Sequence, residues 1–533
     1  MWKNNNNMNE TSSSEAGTGA QNAKSAGSRS EADYGIGSPS NSDHSPAISG
    51  SPLSSISSLA SSQLLLAPSR QDQGIDSALL LEAAQTLAPI DFELFQHYLE
   101  HTSKDLTVGA EEQHTLQIGI PNLACKSQPL MKSVLALSAI CRCLDIINQP
   151  SASHQDRSQV IELLSLANGY HMESVREIQA TLPQTKHYDY ILANAAMMGM
   201  YGSGSHCARI WLAKTATLNE QLQEDLMPRH SQWIRLFRAV HVAYDGLLKD
   251  TQSTEHTVRS SGDHSPDHLT ARSGSQIQYE YQFSSRVEQH RNPINHALYP
   301  IMDATVGPAL KKLRKRAREL AVLEACNGMG GRDSLTTTPI HGNADIAACF
   351  VALRILNNIV AETFPTHELI RSTPLDFDVD VDPVGQLSEV SSWLRRYTAS
   401  ITSTVPSPLP RRFIMAFVHR VPTKYLNLVE EMHSIIQTDA SDGDQITWTS
   451  EPSIAHQLAV GIFAHWLVLV MLLDGVWWIG DLGAWELEQI VTFRNDARWP
   501  MPLWNRDEDW WPDSMFEISR HFEKYRTKTV DTS

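Results

Sequence analysis

The chain has 533 residues, 41% of them hydrophobic and 19% charged, with a formal net charge of −17. That length allows two or three domains or one large helical assembly with linkers. The acidity repels phosphate backbones, so any contact with nucleic acid has to come from a local basic patch. Six cysteines in this length give no disulfide framework, and no C-x2-C pair supplies a zinc finger, ribbon or cluster. The six are Cys125, Cys141, Cys143, Cys207, Cys326 and Cys349; most fall within apolar helical patterns and read as reduced, buried thiols.

Residues 1–75 are rich in Ser, Asn, Gly and Ala and read as a disordered tail, because such a segment cannot bury enough apolar surface to offset its chain entropy. Its start lacks an apolar core segment and does not read as a secretory signal. The Ser-Pro steps at Ser38, Ser45 and Ser51 fit either phosphorylation sites or ordinary linker. Order is expected from Asp76. Asp91 stands where an N-cap would precede Phe92, Phe95, Tyr98, Leu99 and Thr102 at helical spacing. Leu130, Val134, Leu137, Cys141 and Leu144 predict a helix over 130–147, closed by Pro150. Further helices are predicted over 158–179, 190–200, 210–222 and 233–248.

Residues 251–292 break the pattern with Ser, His, Asp and Thr and read as a flexible insertion. Helices resume near Pro293, are strong over 345–363, and end in a block over 453–525 that holds most of the tryptophans. Residues 374–383 read as an acidic loop and 527–533 as a short tail. The longest apolar run, 458–473, contains His465 and falls short of the roughly 18 residues that a span needs, so it reads as a core helix and not a membrane span. The fold class predicted is all-α: a large helical array in two parts, 76–250 and 293–526.

Few strings suggest chemistry. His97-Tyr98-Leu99-Glu100-His101 has the H-x-x-E-H form of a zinc peptidase, with Glu173 or Glu177 imaginable as a third ligand; the plainer reading is one polar stretch of an amphipathic helix. Asp376, Asp378, Asp380 and Asp382 alternate like a calcium loop, but Val381 and Pro383 occupy the places where the turn needs glycine. Lys311, Lys312, Arg314, Lys315, Arg316 and Arg318 form the one dense basic run, a candidate nuclear-import signal or the solvated face of a helix. No phosphate loop, dinucleotide fingerprint or nucleophile elbow is present, and no catalytic, cofactor-binding or metal residue is assigned. The expectation is a protein that is not an enzyme, with the H-x-x-E-H peptidase as the unfavoured alternative.

Two groups of strings carry a resemblance. The first is Phe-Glu-Leu-Phe-Gln-His-Tyr-Leu-Glu-His-Thr at 92–102, Ile-Pro-Asn-Leu-Ala at 120–124 and Leu-Met-Lys-Ser-Val-Leu-Ala-Leu-Ser-Ala at 130–139. The second is Leu-Leu-Asp-Gly-Val-Trp-Trp-Ile-Gly-Asp-Leu-Gly-Ala-Trp-Glu-Leu at 472–487, with Trp-Trp-Pro-Asp-Ser-Met at 510–515. They resemble the opening and closing segments of the fungal-specific transcription factor domain, in its sterol-regulator-like branch. That domain follows a six-cysteine binuclear zinc cluster, and no cysteine precedes Cys125 here, so no zinc ligand or base-reading residue is carried over.

The resemblance implies a nuclear regulator of a metabolic programme, such as sterol metabolism or a secondary-metabolite cluster. It implies coregulators, a DNA-binding partner or a second copy of the chain as partners, and no direct grip on DNA without the cluster. A coregulator or scaffold derived from the family shares all these features. The resemblance also implies a small hydrophobic effector, for which Trp466, Trp477, Trp478, Trp485, Trp510 and Trp511 are candidate pocket residues; core packing is the plainer reading.

Overall fold

Local chemistry sets where the first helices start. In α1 (Ser77–Thr86) the Asp76 carboxylate caps the end by accepting from the Ala78 N–H at 3.0 Å. In α2 (Pro89–His97) the cap is Ala88, not Asp91 as the pattern suggested. Pro89 arrives with its φ already helical, so it takes the first helical position and moves the start upstream. Asp91 then lies in the first turn, still favourable to the helix dipole, and accepts from the Tyr170 hydroxyl. This structure is a computed structural model describing residues 74–107, 110–149, 154–181, 187–216, 222–249, 293–328, 344–365, 385–402, 409–441, 452–495 and 509–530. The described residues lie within one unit, 67–533.

After α2 the chain widens into a π-type turn at Tyr98–Thr102, then runs through α3 (Ser103–Leu106), α4 (Ala110–His114), a second π-type turn at Thr115–Gly119, and α5 (Ile120–Ala124). At Gly119 a Cβ would stand 2.7 Å from the Trp393 indole, so a larger residue has to displace that ring. Three long helices form the first packed layer: α6 (Gln128–Ile147), α7 (His154–Thr181) and α8 (Tyr188–Lys214). A polar link ties them, with Ser174 Oγ donating to the Pro129 carbonyl at 2.8 Å and Asn194 Nδ2 donating to Ser174 Oγ at 2.9 Å.

Helix α8 replaces the two stretches expected at 190–200 and 210–222 with one helix that ends at Lys214. The Gly202-Ser203-Gly204-Ser205 run reads locally as a break. In the fold it is a bare surface: a Cβ on Gly202 would meet Leu236 Cβ at 2.7 Å, and one on Gly204 would meet Ile140 Cγ2 at 2.8 Å. The small residues let α6 and α9 (His230–Lys249) approach α8 closely, and that close packing holds the helix through the glycines.

The second part comprises α10 (Tyr299–Gly328), α11 (Ala344–Thr363), α12 (Ser392–Ile401), α13 (Pro410–Arg420), α14 (Thr423–Ser441), α15 (Ile454–Val470), α16 (Leu482–Asn495) and α17 (Trp511–Val530). Helix α15 is its centre, buried on every side among α10, α11, α13, α14, α16 and α17. It starts with a reciprocal cap between Ser453 and His456. By length and composition, Ala344–Thr363 and Ile454–Leu473 could each cross a membrane; 94% of the apolar window in the second is buried inside the protein.

No strand occurs among the described residues, and the all-helical expectation holds. Helix α17 runs to Val530, past the boundary expected at 526. Except for residues 74 and 75, the expected tail lies outside the described residues, as do the insertion 251–292, the Ser-Pro steps and the acidic loop 374–383.

Candidate functional site

Helix α13 carries the most unusual polar arrangement in the fold. It opens with Pro410, and Arg411 and Arg412 follow in its first turn, where cations oppose the helix dipole. A carboxylate from far upstream offsets them. Arg411 Nη2 donates to both oxygens of Glu112, at 3.1 and 3.0 Å, and to the Leu106 carbonyl at 3.1 Å. Arg412 pairs with the same carboxylate and with Ser400 Oγ, and its guanidinium lies 5.8 Å from the centre of the Tyr397 ring. The Glu112, Arg411 and Arg412 side chains are 7%, 13% and 8% exposed. Burial lowers the Arg411 pKa, with Glu112 opposing that shift. Burial and the Glu112 charge raise that of Tyr397 and keep its phenol neutral.

Two turns further along α13 stands His419, 2% exposed and stacked on Phe237 with ring centres 5.0 Å apart. Burial lowers its pKa to about 3, and the neighbouring His241, Arg238 and Arg420 act in the same direction. Its Nδ1 has no hydrogen-bond partner among the described residues. Between the arginines and His419 lies a cavity of about 60 Å³, walled by Met200, Phe237, Val240, Met415 and Trp478.

A second buried polar cluster joins the two parts of the fold elsewhere. Glu486 is 0% exposed; it accepts from Trp233 Nε1 at 2.8 Å and lies 3.3 Å from His206 Nε2. Trp485 meets the His206 ring edge-on at 5.2 Å.

The six candidate tryptophans are spread among several places. Trp478 lines the cavity and stacks on Phe237 at 5.8 Å. Trp466 is fully buried between Trp233 and Phe417, at 6.3 and 5.1 Å, and donates to the Ile414 carbonyl at 2.8 Å. Trp485 lies beside His206, and Trp477 packs near Gly204. Trp510 lies under the Arg494 guanidinium at 5.1 Å, and Trp511 stacks on His465 at 5.6 Å. The basic run lies on α10. Lys311, Lys315 and Arg318 are exposed, Lys312 donates to the Asp509 carbonyl at 2.7 Å, Arg314 binds Asn357, and Arg316 faces Glu319 at 3.5 Å.

The H-x-x-E-H string falls across the first π-type turn. His97 Nδ1 lies 3.1 Å from both Thr102 Oγ1 and Ser138 Oγ, and its Nε2 is 3.6 Å from Asp145. The suggested third ligand Glu173 pairs with Lys132 at 3.1 Å. Among the described residues no group of His, Cys, Asp and Glu is placed to hold a metal ion.

The described residues form a helical body with long core helices and buried polar ties. Within it, residues 93–235, from α2 to α9, match the family model of the fungal specific transcription factor domain. No curated protein and no solved structure matches the chain.

Glu112, Arg411, Arg412 and His419 carry one local signal: adjacent arginines just after the proline that starts a helix oppose its dipole and favour an acid or an anion nearby.

Proposed function

We propose that the chain is the regulatory body of a fungal transcription regulator that acts in the nucleus and is not an enzyme. The match over residues 93–235 is the observation that carries this reading. The finer reading is that the body controls a metabolic programme, such as sterol metabolism or a secondary-metabolite cluster, in response to a small effector. Its partners are coregulators, a DNA-binding protein or a second copy. The basic face of α10, with Lys311, Lys315 and Arg318 exposed, is the proposed import patch.

The test is to tether the whole chain to an unrelated DNA-binding domain beside a reporter promoter. The expected result is a change in reporter output relative to the DNA-binding domain alone; unchanged output at equal protein level overturns the reading. In a gel shift the untethered chain is expected not to retard DNA, because its net charge is −17 and Lys and Arg contacts alone carry no sequence information.

A further inference from the structure

The cavity along α13 combines three features that ordinary core packing does not need. The first is charge. Two guanidiniums, that of Arg412 buried and that of Arg411 partly so, share one carboxylate, so the cluster of Glu112, Arg411 and Arg412 carries a surplus positive charge at the positive end of a helix. Tyr397 beside them stays neutral, because burial and the Glu112 charge raise its pKa. The second is the buried His419 nitrogen, which has no partner among the described residues. The third is space with apolar walls between these two polar ends.

We propose that this cavity binds a small monocarboxylate with an apolar body, its carboxylate held by Arg411 and Arg412 and its body running toward His419. Guanidinium groups match carboxylate geometry, and a monoanion completes the charge that Glu112 alone leaves unbalanced. Met200, Val240 and Met415 favour a hydrocarbon body over a hydrated inorganic anion. Size limits the ligand further. An apolar cavity of about 150 Å³ takes benzene, and this one measures about 60 Å³. It fits a short acid and excludes a fused-ring sterol unless the surrounding helices part.

The site is built from segments distant in sequence: Leu106 and Glu112, then α8 and α9, then α13, then Trp478. An occupant therefore stabilises the arrangement of those segments in proportion to its occupancy. The role of such binding in gene control rests on the regulatory reading above; the binding itself does not.

The experiment titrates the purified full chain with propanoate and butanoate, following tryptophan fluorescence and the melting temperature. The alcohols 1-propanol and 1-butanol, and chloride and phosphate, are run in parallel. The expected result is that at least one acid saturates, raises the melting temperature and alters the tryptophan fluorescence. Its matched alcohol should bind at least about tenfold more weakly, ~1.4 kcal/mol. Ala196 also lines the cavity, so Ala196→Val narrows it without touching its charges, and is expected to weaken the acid at least as much while the chain still melts cooperatively. Arg411→Met is expected to abolish binding, and Ala196→Val keeps the test decisive if Arg411→Met fails to fold.

Saturation by none of the acids overturns the proposal. So does equal affinity for acid and alcohol, equal affinity for chloride or phosphate, or an Ala196→Val chain that binds unchanged. A chain that drives the tethered reporter yet binds no acid removes this proposal and leaves the regulatory reading standing. A chain that binds butanoate with no effect on the reporter does the reverse.

Discussion

Two buried polar clusters tie the first part of this fold to the second, and they are built on opposite plans. At Glu486 one carboxylate meets the Trp233 N–H and the His206 ring, with large aromatics closing the surroundings. At Glu112 one carboxylate meets two guanidiniums, and a cavity opens alongside. The first spends its polar groups on joining helices. The second joins helices and also leaves charge, a lone nitrogen and space. Burial of polar residues therefore does not separate structure from function here; the balance of partners around them does.

The largest effect should come from removing the shared acid. Glu112→Gln leaves two buried guanidiniums facing a neutral amide, and loss of one partner from a buried pair costs about 3–5 kcal/mol. Glu486→Gln keeps an acceptor for Trp233 Nε1, so its cost should stay near the ~1–3 kcal/mol of a weakened buried hydrogen bond. Urea unfolding of both variants decides the matter. Equal losses would mean that the two clusters are alike and that the surplus charge at Glu112 is already neutralised in the folded chain.

A second comparison uses backbone crowding. Helix α16 packs onto the end of α15 through Gly483, where a Cβ would stand 2.8 Å from the Met471 nitrogen and 3.0 Å from the Leu467 carbonyl oxygen. These are backbone atoms of the most buried helix end, so they cannot swing aside. Gly483→Ala should cost at least the ~1–3 kcal/mol of overpacking. A melting temperature unchanged from the parent chain would show that α16 can slide and that this side of the fold is less rigid than its packing implies.

How much of this was legible follows from the range over which each signal acts. The α6 stripe of Leu130, Val134, Leu137, Cys141 and Leu144 repeats at helical spacing, and all five are buried. Periodicity is local, so the sequence displays it. Helix α8 hid because glycine weakens a helix locally, whereas its reward, close contact with Leu236 and Ile140, comes from other helices. The cavity cluster was less legible still. Glu112 and Arg412 are 300 positions apart, and nothing in a single sequence pairs them. Eight tryptophans fall between 466 and 511, yet proximity along the chain did not bring the six candidates into one pocket.

The histidines extend the comparison to pH. Burial lowers the pKa of His419 to about 3, and of His465 and His171 to about 4. In the unfolded chain a histidine titrates near 6.5. Between about pH 6.5 and pH 4 the unfolded state binds more protons, so stability falls as the pH falls, by up to ~1.4 kcal/mol per pH unit for each such group. His419→Gln should flatten that fall at the cavity, and His465→Gln should do so inside the closed aromatic packing, where Nδ1 lies 2.7 Å from the Gly461 carbonyl oxygen. Chemical unfolding at pH 7 and pH 5 measures both. A slope unchanged by His419→Gln would mean that water or a ligand already lets that ring take a proton in the folded state.

The smallest effect tests the cavity wall itself. Gly199 lies on the same helix as Gly202 and Gly204, but a Cβ there would meet the Phe237 backbone at an ordinary 3.5 Å. Replacing a helix-interior glycine by alanine removes unfolded-state freedom and stabilises by roughly 0.5–1 kcal/mol where the space exists. Gly199→Ala should therefore raise the melting temperature, whereas Gly202→Ala and Gly204→Ala should lower it, since their added methyls meet Leu236 and Ile140 at 2.7 and 2.8 Å. The contrast puts the open and the closed plan side by side on one helix. If all three variants lose stability alike, the space beside Gly199 is not open in solution, and the two faces of α8 are equally closed.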